Sequence, residues 1–571
     1  MACENEMTRR SFVGLGALGA LSAGAATVAG RSSAYADEAE EAEAEEAVEE
    51  EAAEEETAEE EEAAEASTEA DLSDECDVAV VGMGIAGFVA TSAAARDGAK
   101  VVGLDRATGP SATNAVNTAG IWAIESTEEL KYDNHLTVAD MFDFIWSGTH
   151  YQCNARVLRN LLPASGKAID LVMDSGIEFQ YAFADIEDDY DIDGDSADML
   201  NRGGHIWIES GLERGELIQN CMDYYGVDSR WECEATELLC EDGAVTGVRY
   251  LNADGQTVDL SASKVIVCTG GFIQNLEMIE KYYAGARMYG PGCEYNDGAG
   301  INMIMEVGGQ LGKNFTTSLN EMGGCSMSAS TQYVNYSDYT QTPLHALPLL
   351  GGLFVNKDGV RFMDEGKMAT KTMHCGEPLL RESQYCIIID SATVEELEVT
   401  PLADFITESA WANMAPSVQA VFDGVTLSTM SDALVQGEEE GWVWSGEDIA
   451  SLAEAAGLPG LEAAVEEYNA SCEAGEDDLM YKSVDFLSAI ETGPFYAIQM
   501  DIAAWATIGG IKTDEYCHVL DEDNKVIENL FVAGVDGDFW SVPYYEGGSC
   551  QGFSFASGYL SATTAVEELA E

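Results

Sequence analysis

Three glycines and an aspartate have the residue types and spacing that bind a dinucleotide. Gly82, Gly84 and Gly87 form a G-x-G-x-x-G run that includes Ala86, and Asp105 follows later in the chain. The first glycine of such a run permits a tight turn, the second lets the backbone approach a pyrophosphate, and the third lets a helix pack on a strand. The N-terminus of that helix attracts the anion, and the aspartate accepts hydrogen bonds from ribose hydroxyls.

The elements around these residues follow the order that the motif requires. Residues 76–81 form a short apolar run that predicts a buried strand, and residues 88–96 have a helical pattern. Residues 100–104 predict a second strand, which ends at Asp105. A G-x-G-x-x-G run alone is a weak signal, but this context favours a dinucleotide site over a chance glycine turn in another α/β fold.

Small and hydroxyl-bearing residues recur at three later places and predict contacts with a flavin. The first place follows the second strand, and the second follows a predicted strand at 265–268. The third follows a predicted strand at 529–534 and precedes a helical run over 553–567. Side chains of this size let the backbone lie against a flavin ring and its ribityl chain. The predicted contacts are Asn114, Thr118, Ala119, Gly120, Thr269, Gly270, Gly271, Asp536, Gly552 and Ser554.

Aromatic residues are concentrated near the C-terminal glycine stretch. They include Trp505, Phe539, Trp540, Tyr544 and Tyr545. Aromatic rings with phenol hydroxyls suit a flat, largely neutral ligand that carries a carbonyl group. Ordinary packing of buried aromatic side chains is the alternative interpretation.

Several separated motifs occur in one order along the chain: GMGIAG at 82–87, CTGGF at 268–272, NDGAG at 296–300, GLFVN at 352–356, TIGG at 507–510 and the glycine stretch 546–552. As a set they resemble the fumarate reductase/succinate dehydrogenase flavoprotein superfamily. The resemblance implies non-covalent FAD in an α/β fold, with a split Rossmann-like FAD-binding domain at 76–295 and 420–571. It also implies an inserted α+β capping domain at 296–419.

The residues with which that family binds a dicarboxylate are missing from their motifs. Ala369 stands where the family has its proton-donating arginine, and Ala506 and Tyr545 replace a substrate histidine and arginine. The remaining histidine falls near Asn320 by a looser match. A site without these cations does not stabilise two carboxylates, so fumarate is a poor candidate.

A second resemblance concerns the segment from Tyr544 to Gly548, which is similar to the C-terminal segment of 3-ketosteroid Δ1-dehydrogenases. It implies that the Tyr544 hydroxyl and the Gly548 N–H polarise a carbonyl oxygen. That group's other catalytic tyrosine again falls on Ala369, so the proton donor stays open. The candidates are Tyr545, Tyr333, Lys367 and Lys371.

Together these features predict an enzyme, an FAD-dependent reductase of a C=C bond conjugated to a carbonyl group. The expected substrate is an electron-poor alkene of enone, lactone or acrylate type, bulky or ring-shaped, which takes hydride from flavin N5. One alternative is a 3-ketosteroid dehydrogenase that runs the reverse reaction. Another is a flavin-loaded binding or electron-transfer protein without turnover, which the missing acid at position 369 favours.

The N-terminal residues predict export rather than folded structure. Residues 1–36 contain Arg9-Arg10 before a weakly apolar stretch and end in a small-residue cleavage pattern, which indicates a twin-arginine signal peptide. An uncleaved membrane anchor is the alternative. Residues 37–75, mostly Glu and Ala, predict an acidic disordered linker. The chain resembles the exported anaerobic respiratory reductases of gut actinobacteria, which implies a place in the cell envelope and an external donor such as a membrane-linked cytochrome or quinol-oxidising protein.

Charge and cysteine spacing exclude other classes of function. Lys and Arg total 26 against 104 Asp and Glu, a formal net charge of -78, so nucleic-acid binding is excluded. No C-x-x-C-H pattern occurs, which excludes covalent c-type haem. Cys221, Cys233, Cys240 and Cys268 match no ferredoxin spacing, so buried thiols are favoured over an iron–sulfur cluster. No other metal site is predicted.

Overall fold

The structure is a computed structural model in which residues 72–116, 120–132, 136–149, 151–181, 204–208, 213–283, 288–290, 292–312, 343–370, 376–382, 384–405, 424–504, 506–539 and 548–570 are described. The signal peptide predicted at 1–36 and positions 37–71 of the predicted linker lie outside these residues. The linker prediction is wrong for 72–75, which belong to the first strand, Leu72–Val81, because they pair with the strand Thr257–Val267. Within the described ranges, no helix combines the length and the apolar character needed to cross a bilayer.

The strands of the described residues are β1 (Leu72–Val81), β2 (Val101–Leu104), β3 (Gly120–Trp122), β4 (Glu178–Tyr181), β5 (Gly204–Ile208), β6 (Asp228–Arg230), β7 (Glu234–Glu241), β8 (Ala244–Leu251), β9 (Thr257–Val267), β10 (Met288–Tyr289), β11 (Leu353–Asn356), β12 (Gln384–Asp390), β13 (Val443–Gly446), β14 (Phe495–Ala503), β15 (His518–Leu520) and β16 (Val526–Val532).

The helices are α1 (Ile85–Arg96), α2 (Val138–Gly148), α3 (Ala155–Asp174), α4 (Arg214–Tyr225), α5 (Leu276–Tyr282), α6 (Ala299–Glu306), α7 (Gly366–Thr370), α8 (Gly376–Glu382), α9 (Ser391–Val399), α10 (Leu402–Phe405), α11 (Met430–Glu440), α12 (Ile449–Ala456), α13 (Leu461–Ala474) and α14 (Ser549–Leu569). Short 3₁₀ helices lie at 110–112, 114–116, 129–131, 343–350, 484–486 and 534–536.

The largest sheet in the described residues has β1 near its centre. Its strands run in the order β15-β16-β9-β1-β2-β6, and β8 and β7 continue antiparallel from β9. β1 pairs in parallel with β2 and β9, β9 pairs in parallel with β16, and β2 pairs in parallel with β6. Val78 and Val80 pack into one apolar core, and Ala79 and Val81 into the other. A strand covered on both faces needs a continuous apolar run, which is why this run marks a central parallel strand.

Helix α14 brings the C-terminus back onto the first dinucleotide-binding unit. It packs against α1 and α3. A Cβ atom at Gly558 on α14 would lie 2.3 Å from the carbonyl oxygen of Ala86 on α1, so only glycine allows α14 and α1 to approach so closely. The start of α14 is thereby fixed beside the glycine turn that precedes α1.

A second sheet lies in the inserted part of the chain. Its order is β10-β14-β12-β11, and β13 also pairs with β14. β11 and α13 share an apolar core around Leu353, Val355 and Leu461. A third, antiparallel sheet has the order β3-β5-β4.

The predicted α/β class, with a split dinucleotide-binding unit and an insertion, is confirmed, because the first sheet takes strands from both ends of the described chain. The strands do not divide at the predicted boundary between residues 419 and 420. β12 lies before that boundary and β13 after it, yet both pair with β14 in the second sheet. β10, before residue 296, also pairs with β14. The inserted sheet therefore extends in sequence from β10 to β14.

Candidate cofactor cleft and active site

A cleft opens at the carboxyl ends of β1, β2, β9 and β16, where the loops that follow these strands meet. The space between its walls is about 1390 Å³ with the open mouth included. This edge is where open α/β sheets bind their ligands. The predicted cofactor residues that line it are Gly82, Gly84, Ala86, Asp105, Asn114, Thr269, Gly270 and Ser554.

The three glycines of the turn have the geometry that an anion cradle requires. Gly82 has a φ of +91°, and a Cβ atom there would lie 2.4 Å from the Cys268 carbonyl oxygen. A Cβ atom at Gly87 would lie 1.8 Å from the Gly82 oxygen, so Gly87 serves the packing of α1 and does not line the cleft. Gly84 is the N-cap of α1, no side chain caps it, and a Cβ atom there would meet nothing within 4 Å. An open space in front of a helix N-terminus fits a pyrophosphate.

Asp105 lies directly after β2 and lines the cleft. Its Oδ2 accepts a hydrogen bond from Met83 N–H at 2.6 Å, and its Oδ1 accepts one from Ala107 N–H at 2.8 Å. Burial raises the pKa of this carboxyl above its ordinary value, although the two N–H donors act in the opposite direction. The aspartate thus braces the glycine turn and presents an acceptor to the cleft.

Asp536 holds the turn after β9 and does not line the cleft. Its fully buried carboxylate accepts hydrogen bonds from Thr269 N–H, from Thr269 Oγ1 at 2.9 Å and from Gly271 N–H at 2.7 Å. Burial raises the pKa of Asp536, and these donors lower it in part. Gly270 and Gly271 have φ values of +100° and +77°, a conformation that favours glycine. In this structure Asp536 therefore acts on the cofactor cleft through the turn that it holds.

The start of α14 forms the other wall of the cleft. Gly548, with a φ of +78°, precedes the helix, and its carbonyl oxygen accepts a hydrogen bond from Trp122 N–H at 3.2 Å. A Cβ atom at Gly552 would lie 2.2 Å from the Trp122 oxygen, so this glycine is needed for packing against β3. Ser554 lines the cleft and donates to the Cys550 carbonyl oxygen at 2.7 Å.

Two other predicted cofactor residues, Gly120 and Gly271, do not line the cleft. Gly120 is exposed at the start of β3 and is not part of the cleft lining. Gly271 contacts Thr507 rather than the cleft, since a Cβ atom there would lie 2.3 Å from Thr507 Oγ1. Thr118 and Ala119 are outside the described residues.

The structure does not bring Lys367 to the cleft. This lysine lies on α7, its side chain is 57% exposed, and its Nζ is 3.6 Å from an Asp364 carboxylate oxygen. Gly548 is the N-cap of α14 and is not among the residues that line the cleft. The other predicted catalytic residues, Tyr544, Tyr545 and Tyr333, are outside the described residues, as are Lys371 and Trp505.

Arg361 and Glu365 lie in a buried ionic network of the inserted unit. Arg361 Nε is 2.8 Å from Glu365 Oε1, and Arg361 Nη2 is 2.7 Å from Asp477 Oδ2. Burial would raise the pKa of Asp477, but Arg361 and neighbouring N–H groups lower it to about 2. Lys482 Nζ lies 3.5 Å from Glu365 Oε2. Because α7 begins directly after Glu365, this network fixes the helix that carries position 369.

Residue patterns missed two parts of the cleft. Arg106 and Glu234 line it, as do residues of the loop 293–297. The available signal for Arg106 was its position directly after Asp105, the acid that follows β2. The loop overlaps the NDGAG motif at 296–300, but its place beside the cleft depends on long-range hydrogen bonds that the motif does not indicate.

Most of the cysteines weighed as iron–sulfur ligands are buried thiols. Cys221, Cys233 and Cys268 are buried, whereas Cys240 is exposed on β7 and so differs from the predicted buried thiol. Within the described residues, no group of three or more His, Cys, Asp or Glu side chains is arranged to hold a metal ion.

Comparison with known proteins gives a family and several relatives. The family model described as "FAD binding domain" matches residues 77–551. Vinyl phenol reductase of Lactiplantibacillus plantarum is 25% identical over 515 residues, which cover 86% of this chain and 97% of that protein. Urocanate reductase of Eggerthella lenta is 25% identical over 496 residues, which cover 81% of this chain and 70% of that protein.

A solved structure shares the fold. The 3-ketosteroid delta1-dehydrogenase from Sterolibacterium denitrificans aligns with a TM-score of 0.61 at 16% identity, over 87% of this chain and 100% of that one. The likeness concerns the fold alone. The family match over residues 77–551 confirms the family predicted from the separated motifs.

Proposed function

Because the chain belongs to this family of FAD-binding oxidoreductases, we propose that it reduces a C=C bond conjugated to a carbonyl group in a bulky, uncharged substrate. When bound, FAD supplies the electron pair for this reaction as hydride. The two relatives named above are both called reductases, and urocanate reductase is named for a conjugated alkene acid. Their names support the reaction class, and the cleft supports the choice of substrate.

One observation carries the choice of an uncharged substrate. The described cleft wall is apolar at a position where the fumarate reductase/succinate dehydrogenase superfamily has a cation. Ala506 occupies the position of a substrate histidine, and it lines the cleft together with Ile508 and Val535. Among the described lining residues, Arg106 is the one lysine or arginine, and it is paired with Glu234 and Asp297. Such a wall favours a neutral ring over a dicarboxylate.

The chain's own groups would orient the substrate and hold its carbonyl oxygen. Gly548 precedes the N-terminus of α14, where backbone N–H groups and the helix dipole favour negative charge. We propose that the Gly548 N–H and the Tyr544 hydroxyl donate to the carbonyl oxygen, so that they stabilise charge that develops there. Tyr545, Tyr333 and Lys371 remain the candidate proton donors, since the exposed ion-paired Lys367 lies outside the cleft.

A second candidate substrate is an alkene conjugated to a phenol ring. The alignment with the vinyl phenol reductase covers nearly all of that protein, and an apolar wall also accommodates an aromatic ring. Electrons would come from an external donor such as a membrane-linked cytochrome or quinol-oxidising protein, which we propose on the basis of the sequence alone.

A viologen-coupled assay under anaerobic conditions tests this proposal. Reduced viologen would be oxidised in the presence of enones, lactones or vinyl phenols, and only weakly with fumarate. The direction of reaction is checked by dye-coupled oxidation of saturated 3-ketosteroids with the same preparation. Fast turnover of fumarate, or no turnover of any alkene by fully FAD-loaded protein, would contradict the proposal.

A further inference from the structure

A short loop passes over the end of β1 between the two neighbouring strands. We call residues 293–297 the strap. The backbone of the strap is tied on the β9 side, where Gln274 N–H donates to the Asn296 oxygen at 2.9 Å and Asn275 Nδ2 donates to the Asp297 oxygen at 2.9 Å. Since β9 and β2 flank β1 on opposite sides, a second attachment on the β2 side makes the strap span the cleft.

The second attachment is made by Arg106 and Asn114, both of which follow β2. Arg106 Nη2 lies 2.7 Å from Asp297 Oδ1 and also donates to the Tyr295 carbonyl oxygen. The guanidinium carbon lies 5.4 Å from the centre of the Tyr295 ring, within the range of a cation–π contact. Asn114 Oδ1 accepts a hydrogen bond from Cys293 N–H at 2.7 Å.

Arg106 also reaches the wall formed by β7. Its Nη1 lies 3.3 Å from Glu234 Oε1. One guanidinium group thus joins the end of β2, the start of β7 and the strap, with 24% of its side chain exposed. Isolated exposed ion pairs contribute little, but a partly buried group that joins three segments forms a network.

These contacts lie at the adenosine end of the cleft. Arg106 directly follows Asp105, the acid that in this motif binds the adenosine ribose. Cys233, Glu234 and Ala235 line the same part of the cleft, and the Cys233 N–H donates to the Asp105 carbonyl oxygen at 2.8 Å. The flavin end lies instead towards the turn after β9 and the start of α14.

We propose that Arg106 is a clasp that fastens the strap over the adenosine half of FAD, and that this clasp sets how long the cofactor stays bound. Arg106 is in this sense a positioning residue, because it acts through Tyr295 and Asp297. The proposal rests on the family's cofactor and is independent of the alkene that the enzyme reduces.

Release of FAD from the loaded protein tests the clasp. The fluorescence of FAD released after rapid dilution is followed for wild type, Arg106→Gln and Asp297→Asn. Both variants are expected to release FAD about tenfold faster, equivalent to about 1.4 kcal/mol. Raising the salt concentration should accelerate release from wild type and affect Arg106→Gln much less, because the partner carboxylates Glu234 and Asp297 are 49% and 42% exposed and salt screens charges that water reaches.

A matched control is Arg249→Gln. Arg249 also joins two carboxylates, Glu237 at 2.8 Å and Asp259 at 2.7 Å, and its side chain is 22% exposed, but it does not line the cleft. Its substitution is expected to leave release unchanged. Circular dichroism of each variant checks the fold.

The Asp297→Asn variant shows whether Arg106 acts by holding the strap or by contacting FAD directly. If Arg106 bound the diphosphate itself, removal of a nearby negative charge would slow release or leave it unchanged. Faster release from Arg106→Gln alone would therefore overturn the proposal, as would wild-type rates in both variants. Because release is measured without substrate, these outcomes do not depend on whether the proposed alkene reduction is correct.

Discussion

The glycines of the first turn differ in what fills the space of the missing side chain. At Gly82 and Gly87 that space is occupied by backbone atoms of this chain, so larger residues would distort the fold. At Gly84 it is open and faces the cleft. The same sequence motif therefore contains two glycines required for folding and one whose space is left for a ligand.

We predict that Gly84→Val yields a folded protein that does not load FAD. A Cβ atom at position 84 would meet no protein atom within 4 Å, so the valine side chain would enter the space in front of α1. Flavin content after purification, measured by visible absorbance against protein concentration, checks this. Gly109→Val is the control, because Gly109 is also open but lies outside the cleft. A fully loaded Gly84→Val protein would show that the pyrophosphate does not bind at this turn.

A second residue-scale prediction concerns the carbonyl donor. Tyr544→Phe removes one hydroxyl from the proposed oxyanion site and is expected to lower kcat about 10²-fold. Flavin content should stay unchanged, since Tyr544 is assigned to the substrate and not to FAD. Near-normal turnover of the best alkene would remove Tyr544 from this role.

Residue types alone predicted much of the cleft but not the role of every member. Asp105 and Asp536 were both assigned to the cofactor, and both carboxylates accept hydrogen bonds from backbone N–H groups of the glycine turns. A carboxylate that follows a strand at a glycine-rich edge suits either role. Whether each carboxylate binds the cofactor or holds a glycine turn depends on its distance to that turn. The sequence does not give this distance.

At the scale of elements, α14 is held against the first sheet by a charged cluster around His518. His518 Nδ1 lies 2.8 Å from Asp514, and its Nε2 lies 2.7 Å from Glu568 on α14. Glu568 also pairs with Lys264 at 2.7 Å, and the His518 ring lies against Phe531. Because the N-terminus of α14 forms a wall of the cleft, this cluster stabilises the site from a distance.

This cluster predicts a pH-dependent stability. Burial would lower the pKa of His518, but the bonds to Asp514 and Glu568 outweigh it and raise that pKa. The stabilisation is therefore complete below the ordinary histidine pKa and is lost as pH rises through the raised value. The pKa values of Asp514 and Glu568 are lowered, so their part is lost as pH falls through these lowered values.

We expect His518→Gln to lower the free energy of unfolding by roughly 1–3 kcal/mol near pH 6 and by clearly less near pH 9. Denaturant unfolding of both proteins at the two pH values measures this difference. An equal loss at both pH values would mean that the histidine acts through packing alone.

Elements with a local pattern were predicted well, and elements that depend on distant partners were not. β1 and α1 were recognised because an apolar run, a glycine turn and a helical pattern follow each other directly. The sheet β3-β5-β4 and the pairing of β13 with β14 were missed, since strands far apart in sequence form them. The pairing of strands across the predicted boundary at residue 419 was missed for the same reason, as nothing local to 420–446 indicates which sheet its strand joins.

At the scale of the whole molecule, charge and the N-terminal sequence bear on where the enzyme works. A formal net charge of -78 favours soluble behaviour and cationic partners, which suits a basic electron carrier. We propose export by the twin-arginine route, which carries folded proteins and would deliver the chain with FAD already bound.

Replacing Arg9 and Arg10 by lysine tests the export proposal. The variant is expected to stay inside the cell with its FAD, because the paired arginines are the recognition signal. Fractionation followed by immunoblotting and flavin analysis measures this. Normal export of the lysine variant would contradict the twin-arginine assignment without affecting the account of the cleft.

The most direct measurement is an anaerobic titration of the fully reduced, purified protein with one uncharged conjugated alkene, followed by the visible flavin spectrum. The account predicts that the oxidised flavin spectrum returns in proportion to added alkene and that the saturated product forms one for one. It would be contradicted if the purified chain carried no flavin, or if its reduced flavin were reoxidised by fumarate and by none of the neutral alkenes.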